Sequence, residues 1–354
     1  MAKKKSTEDI EKKAVKKVKK TAKPKTPSNE FTFDDINKSL DKISLYGSRM
    51  DVSTFSEIDH FISLGNYALN ACMTGSVFGG IPNNRAVSLA GKSGVGKTYL
   101  LLNALRNAIA MGYYVIFYDS ENAVDKDLMV KFGIDVSKVR YEPVASLQDF
   151  RTNITNLITT LGNAKREGKT IPKIFVALDS AGNLPTQKEI NDAVDGNEKA
   201  DMTRAKLLKS VFRIIMVPLA YIKAPFVFTN HTYDSQSFIS MTTSSGGSGP
   251  QYAASIILFL GKKQLTEGSG SNKIKSGIQL KAMPNKNRFA QPQQVVVHLR
   301  YDSGMNPYVG LEQYLDYEAV GIGRGVIKDG VKVPQKTAKT WIAEHLDYEI
   351  KKAK

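Results

Sequence analysis

Gly91-Lys92-Ser93-Gly94-Val95-Gly96-Lys97-Thr98 is the stretch whose reading decides the fold of this 354-residue chain. It satisfies the pattern G-x-x-x-x-G-K-[ST] at every fixed position, and its flanks suit a phosphate loop. Ala86–Ala90 before it is an apolar run that predicts a strand. Thr98–Met111 after it places Leu100, Leu101, Leu105, Ala108 and Ile109 on one helical face. Glycines let the loop turn its backbone N–H groups inward around phosphates, and the helix behind points its positive end at them. In that chemistry Lys97 bridges the β- and γ-phosphates and the Thr98 hydroxyl holds Mg2+.

Outward from the loop, further apolar runs predict strands at Tyr113–Tyr118, Lys173–Asp179, Pro225–Thr229, Ser255–Leu260, Gly277–Ala282 and Gln294–Arg300. Helical spacing covers Leu147–Glu167 and Met202–Ile222. Strands alternating with helices predict an α/β fold with a mostly parallel central sheet. Two strands then end in carboxylates. Ile174-Phe175-Val176-Ala177-Leu178-Asp179 has the form of a Walker B element, so Asp179 is a second candidate for Mg2+. Asp119 and Glu121 follow the strand at 113–118 and supply a candidate general base. In a parallel sheet these ends share a crevice with the phosphate loop.

Composition sets the limits. The chain is 42% hydrophobic and 24% charged, which argues against wholesale disorder, and no apolar run reaches membrane-spanning length. The first residues are lysine-rich where a signal peptide needs an apolar centre, so a cytoplasmic protein without membrane association is expected. The single Cys72 excludes an internal disulfide and a cysteine-based metal site. Net charge is +16, and residues 1–28, with eleven lysines against Glu8, Asp9 and Glu11, carry half of it. Such a basic arm suits a polyanionic partner, or serves only as a solvated tail. The expected organisation is a basic tail and linker over 1–29, a helix and short extended segment over 30–52, a nucleotide-binding core over 53–312 and a small C-terminal region over 313–354. Phe33, Ile36, Leu40 and Ile43 put a helical stripe in the second of these, with Thr32 or Asp34 as its cap.

Taken with Phe61-Ile62-Ser63-Leu64-Gly65 and Gly79-Gly80-Ile81-Pro82, the phosphate loop and Tyr118-Asp119-Ser120-Glu121 resemble the RecA family of recombinases. The segments Leu178-Asp179-Ser180-Ala181-Gly182-Asn183-Leu184, Asp201-Met202-Thr203-Arg204-Ala205-Lys206 and Asn230-His231-Thr232-Tyr233 are similar to its UvsX branch from T4-like phages. The resemblance runs from about Leu64 to Gly310, with a weaker echo at 31–45. It implies a RecA-like ATPase core that binds ATP and Mg2+, forms filaments on single-stranded DNA and exchanges strands with homologous duplex DNA. A recombination mediator and a single-strand-binding protein are further implied partners.

By position, Glu121 resembles the family's water-activating glutamate, and Asn230-His231 its γ-phosphate sensor. Lys286 and Arg288 resemble the basic pair that reaches the nucleotide of the neighbouring subunit. The helix at 31–45 resembles the polymerisation element. An aromatic that stacks on adenine in the bacterial members falls near Leu128 here, and the C-terminal region is short.

DNA contacts are expected from two loops. Tyr233–Gly249 has no lysine or arginine, so backbone N–H groups and hydroxyls would grip phosphates while Phe238 or Met241 wedges between bases. Its Gly246-Gly247 matches the family's glycine pair in the second DNA loop. The first loop is expected around Pro185–Ala200, with Lys188 and Lys199, and Arg204 and Lys206 follow on the next helix. Two other readings share the phosphate loop, a ring-forming helicase of the same fold and a non-catalytic, ATP-switched DNA-coating protein.

Overall fold

A computed structural model describes residues 30–196, 203–234, 242–244, 248–268 and 273–310, with the backbone alone at 233, 234, 242–244, 248, 322–323 and 326–327. The chain divides into two compact units, Met1–Ser53 and Thr54–Lys354.

In the first unit, α1 (Phe33–Ile43) starts at a reciprocal cap. The Thr32 hydroxyl accepts from the Asp35 N–H at 3.3 Å, while the Thr32 N–H donates to the Asp35 carboxylate at 3.0 Å. Phe33, Ile36, Leu40 and Ile43 are exposed along one stripe. The extended segment expected within 30–52 does not form among the described residues. Local side-chain bonds bend the chain there instead: the Ser44 hydroxyl accepts from the Gly47 N–H at 2.8 Å, and Arg49 Nε donates to Asp51 at 3.0 Å.

In the second unit, β1 (Phe61–Ile62) precedes α2 (Tyr67–Thr74) and pairs with β2 (Ile81–Pro82). The main body runs β3 (Ala86–Gly91), α3 (Lys97–Ala110), β4 (Tyr114–Asp119), α4 (Lys126–Lys131), β5 (Val139–Pro143), α5 (Leu147–Arg166) and β6 (Ile174–Asp179). It continues through α6 (Gln187–Val194), α7 (Arg204–Tyr221), β7 (Phe226–Asn230), β8 (Thr232–Asp234), β9 (Thr242–Ser244) and α8 (Ser248–Ala253). It closes with β10 (Ile256–Glu267), β11 (Ile274–Asn287), β12 (Val295–Arg300) and β13 (Gly304–Met305).

One nine-stranded sheet, ordered β13-β12-β11-β10-β3-β7-β6-β4-β5, organises the unit. The strands from β10 to β5 are parallel, and β11, β12 and β13 add an antiparallel extension. Both faces of the central parallel strands are covered, which is why β3, β6 and β7 read as continuous apolar runs. Side-chain alternation sorts each strand between two cores: Val87, Leu89, Val115 and Phe117 pack with α2 and α3. Ala86, Ala90 and Tyr118 pack with Phe150 and Ile154 of α5 and Phe212 of α7. Cys72 is buried in the first core, its thiol 3.2 Å from the Gln293 carbonyl.

The hairpin of β10 and β11 outruns its expected length, because backbone pairing continues to Glu267↔Ile274 after the apolar pattern stops. The region expected as the first DNA loop is partly helical. Thr186 and Glu189 form a capping box that starts α6 within it, and Lys188 pairs with Asp192 one turn on at 3.2 Å. The other long segment, 233–249, has a two-stranded stem, with Tyr233 opposite Thr243. Among the described residues no helix is long and apolar enough to cross a membrane.

Candidate nucleotide site

The site lies where the parallel strands end. Register places Asp119 beside Asp179 and Ala90 beside Asn230, so the tips of β3, β4, β6 and β7 share one edge of the sheet. The loop from Gly91 to Gly96 leaves β3 and enters α3, with Gly96 capping the helix at φ +98°, a conformation that side-chain-bearing residues rarely adopt. Gly91 is required for a different reason: a Cβ there would stand 2.6 Å from the Leu260 carbonyl oxygen of β10.

Lys97 is nearly buried, and its ammonium donates to the carbonyls of Gly91 at 2.9 Å and Lys92 at 3.1 Å. The side chain therefore arches back over the loop. Burial pushes its pKa down, against the opposing pull of Glu121 and Asp179. Thr98 donates its hydroxyl to Asp179 Oδ2 at 2.7 Å, and Thr229 donates to Oδ1 of the same carboxylate. Asp179 is 2% exposed, and burial raises its pKa despite these two donors.

The two carboxylates that follow β4 separate in role. Asp119 Oδ1 accepts from the N–H groups of Glu121 and Asn122, both at 2.8 Å, and Oδ2 accepts from the Tyr141 hydroxyl at 3.1 Å. Asp119 thus builds the turn, while Glu121 is the carboxylate delivered into the cavity. Glu121 Oε1 accepts from the Ser180 hydroxyl at 2.6 Å and the Asn183 amide at 2.9 Å, and lies 3.1 Å from His231 Nε2. Asn230 is fully buried, with its side-chain oxygen on the His231 N–H at 3.0 Å.

These groups surround a cavity of about 410 Å³ bordered by Ser93, Gly94, Gly96, Lys97, Thr98, Glu121 and His231. Its far wall is one the sequence reading did not name. Lys262 and Gln264 of β10, Ile278 of β11 and Leu299 of β12 close it, with Tyr301 just beyond and Tyr99 from α3. The Lys262 ammonium donates to the Gly94 carbonyl at 3.1 Å, tying the antiparallel extension to the loop. Period-two spacing does put Lys262 and Gln264 on one face, but nothing local says which face meets the phosphate loop. Leu128 is half-buried against the α3-side core.

Lys286 and Arg288 stand elsewhere. Asn287 pairs with Ile256, which pairs with Val87, whereas Gly91 pairs with Leu260. Four residues of strand, about 13 Å, separate the pair from the loop of its own chain. The Lys286 ammonium donates to the Gln251 carbonyl at 2.7 Å, near the end of α8, and burial and Arg288 lower its pKa. Of the expected DNA-contact residues, Lys206 is exposed on the first turn of α7 and Lys188 is exposed on α6. The Arg204 guanidinium turns inward to carbonyls of the 181–184 loop. Lys199, Phe238, Met241, Gly246 and Gly247 lie outside the described residues, as do 1–29 and nearly all of 313–354.

A strand, glycine loop and helix facing two strand-end carboxylates define a phosphate-loop α/β protein. Comparison with known proteins specifies it further. The profile of the RecA N-terminal domain matches residues 29–306. The chain is 30% identical over 246 residues to the Recombination and repair protein of Enterobacteria phage T4, covering 69% of this chain and 60% of that one. It is 27% identical over 310 residues to Protein RecA of Paenarthrobacter aurescens, covering 86% and 82%. With Protein RecA of Streptomyces coelicolor it shares 27% over 253 residues, 71% and 63% of the two chains. The chain belongs to the RecA family, and it spans about three fifths of the T4 relative's length.

Proposed function

We propose that this chain is an ATP-dependent DNA recombinase, which forms filaments on single-stranded DNA and pairs and exchanges it with homologous duplex through DNA-stimulated ATP hydrolysis. One observation carries the reading: the phosphate loop and the Glu121–His231 contact border one cavity, Thr98 of its lining donates to the buried Asp179, and His231 is the first residue of the segment leading to the 233–249 loop. Family membership supports it.

In this reading Gly91, Lys92, Ser93, Gly94, Val95 and Gly96 wrap the phosphates with backbone N–H groups at the amino end of α3. Lys97 exchanges its two loop carbonyls for β- and γ-phosphate oxygens. Thr98 and Asp179 already share a hydrogen bond and form the protein's part of a Mg2+ site, the metal supplying charge neutralisation on the phosphates. Glu121 takes a proton from the attacking water at its Oε2, since its contacts to Ser180, Asn183 and His231 all fall on Oε1. His231, backed by Asn230, passes the state of the γ-phosphate to the loop beyond.

The DNA surface comprises Lys188, Lys199 and Lys206 with Phe238, Met241, Gly246 and Gly247. The exposed stripe of α1 docks on the next subunit, and a head-to-tail contact that does not close builds a helix. We place the activity in the cytoplasm, the host's for a phage-encoded chain, with a mediator and a single-strand-binding protein as accessory partners.

Strand exchange tests the reading. Labelled strand should be released from homologous duplex in the presence of ATP and not from heterologous duplex; release from neither, or unwinding of both, contradicts a recombinase. In the same system Glu121→Gln should lower phosphate release by about 10²-fold, as loss of a general base does, while ATP-dependent filaments persist in electron micrographs. Hydrolysis at the parental rate would remove Glu121 from its role.

A further inference from the structure

The turn after β6 is held at both ends, and the way it is held leads to Glu121. Ser180 is tied to Ser120, just past the end of β4, its N–H donating to the Ser120 hydroxyl at 2.9 Å and its carbonyl accepting from that hydroxyl at 2.8 Å. The Ala181 N–H donates to the Thr229 carbonyl of β7 at 3.0 Å. Beyond Ala181 the chain leaves the sheet, and the side chain that closes the arc is Arg204. Its Nε donates to the Leu184 carbonyl at 2.8 Å, and Nη2 reaches the carbonyls of Gly182 and, at 3.4 Å, Ala181. Asn183 sits between these carbonyls, and its amide donates to Glu121 Oε1 at 2.9 Å.

The placement of Arg204 needs a reason. It is the first residue of α7, where the helix dipole disfavours a cation and no acidic residue occupies the first turn. Three backbone carbonyls facing the guanidinium supply the compensating negative potential. A planar fork with several fixed donors matches them; a single ammonium does not.

We propose that Arg204 and Asn183 are positioning residues for hydrolysis: Arg204 clamps the 181–184 arc, and Asn183, held by that clamp, locks Glu121 Oε1 so that Oε2 faces the water. Arg204 then acts through protein carbonyls and not on DNA phosphate. The inference rests on the proposed role of Glu121 as the base.

The test compares Arg204→Lys, Asn183→Leu and Asn183→Gln in the full chain, with wild type and Glu121→Gln alongside. Three quantities are read: single-stranded oligonucleotide affinity with a non-hydrolysable ATP analogue, and kcat and KM for ATP at saturating DNA. Arg204→Lys keeps the charge and so would satisfy a DNA phosphate. We expect it instead to lose about tenfold in kcat, the effect of a hydrogen bond to a charged group, with KM and oligonucleotide affinity within about twofold. Asn183→Leu should match it, and Asn183→Gln, which retains the amide donor, should recover part of the rate. Parental kcat in Arg204→Lys, with or without weakened oligonucleotide binding, overturns the clamp. Parental kcat in Asn183→Leu overturns the positioning of Glu121. A Glu121→Gln protein that still hydrolyses would fail the underlying reading instead, a separate result.

Discussion

Lys97→Ala is expected to abolish DNA-stimulated ATP hydrolysis, with a fall of at least ~10³-fold in kcat, while the fold survives. Two features set the size of the effect. Lys97 opens α3 with its ammonium on the cavity, and burial lowers its pKa, so water screens it little. Removing one preorganised donor at developing charge costs about 10²–10³-fold, and a cation that also holds the ground-state phosphates costs more. The fold is spared because the ammonium's partners are the carbonyls of Gly91 and Lys92, not a packed core. Phosphate release with saturating single-stranded DNA, alongside a thermal melt, checks both halves. Residual turnover within tenfold of wild type would mean that Lys97 does not meet the transferring phosphate.

The second large effect belongs to residues remote from the loop in their own chain. Lys286→Ala with Arg288→Ala should reduce filament hydrolysis by ~10³-fold, the scale of a cation delivered in trans to a transferring phosphate. Nucleotide binding to the dispersed subunit should not change. The register behind this is rigid: the pair lies at the amino end of β3, about four residues of sheet from Gly91, so it cannot serve its own cavity. Lys286 also caps α8, and losing that bond will cost about 1 kcal/mol of stability. Arg288→Ala alone, free of that cost, should show most of the kinetic loss. Mixing the double variant with Lys97→Ala subunits should restore hydrolysis at junctions where an intact loop meets an intact pair. Failure to complement would place the pair outside the reaction.

Much of the site was legible because its signals are local. Strand, glycine loop and helix follow one another from Ala86 to Ala110, and an apolar run ending in Asp179 announces its own strand end. Elements without a local signature escaped. In β5, Val139-Arg140-Tyr141-Glu142-Pro143 lies on the sheet edge with charged residues at alternate positions, so no apolar run marks it. In α2, six consecutive residues from Ala68 to Met73 are buried, leaving little of a polar face to give a helical period. The far wall of the cavity was hidden for a third reason. Lys262, Gln264 and Tyr301 come to it only through the pairing of Leu260 with Gly91 and of β11 with β12, contacts between residues far apart in sequence. In the sequence Arg204 is a cation on the helix that follows the expected first DNA loop, which suggests a phosphate contact; only the folded turn reveals the carbonyls it meets.

The occupant of the Lys97 cavity is expected to set the grip on DNA through Glu121, His231 and the segment that follows. Affinity for a labelled single-stranded oligonucleotide, measured with ATP, with ADP and without nucleotide, tests this most directly. Binding should be at least about tenfold tighter with ATP than in either other state, a difference of about 1.4 kcal/mol between sites. Equal affinity in all three would contradict it.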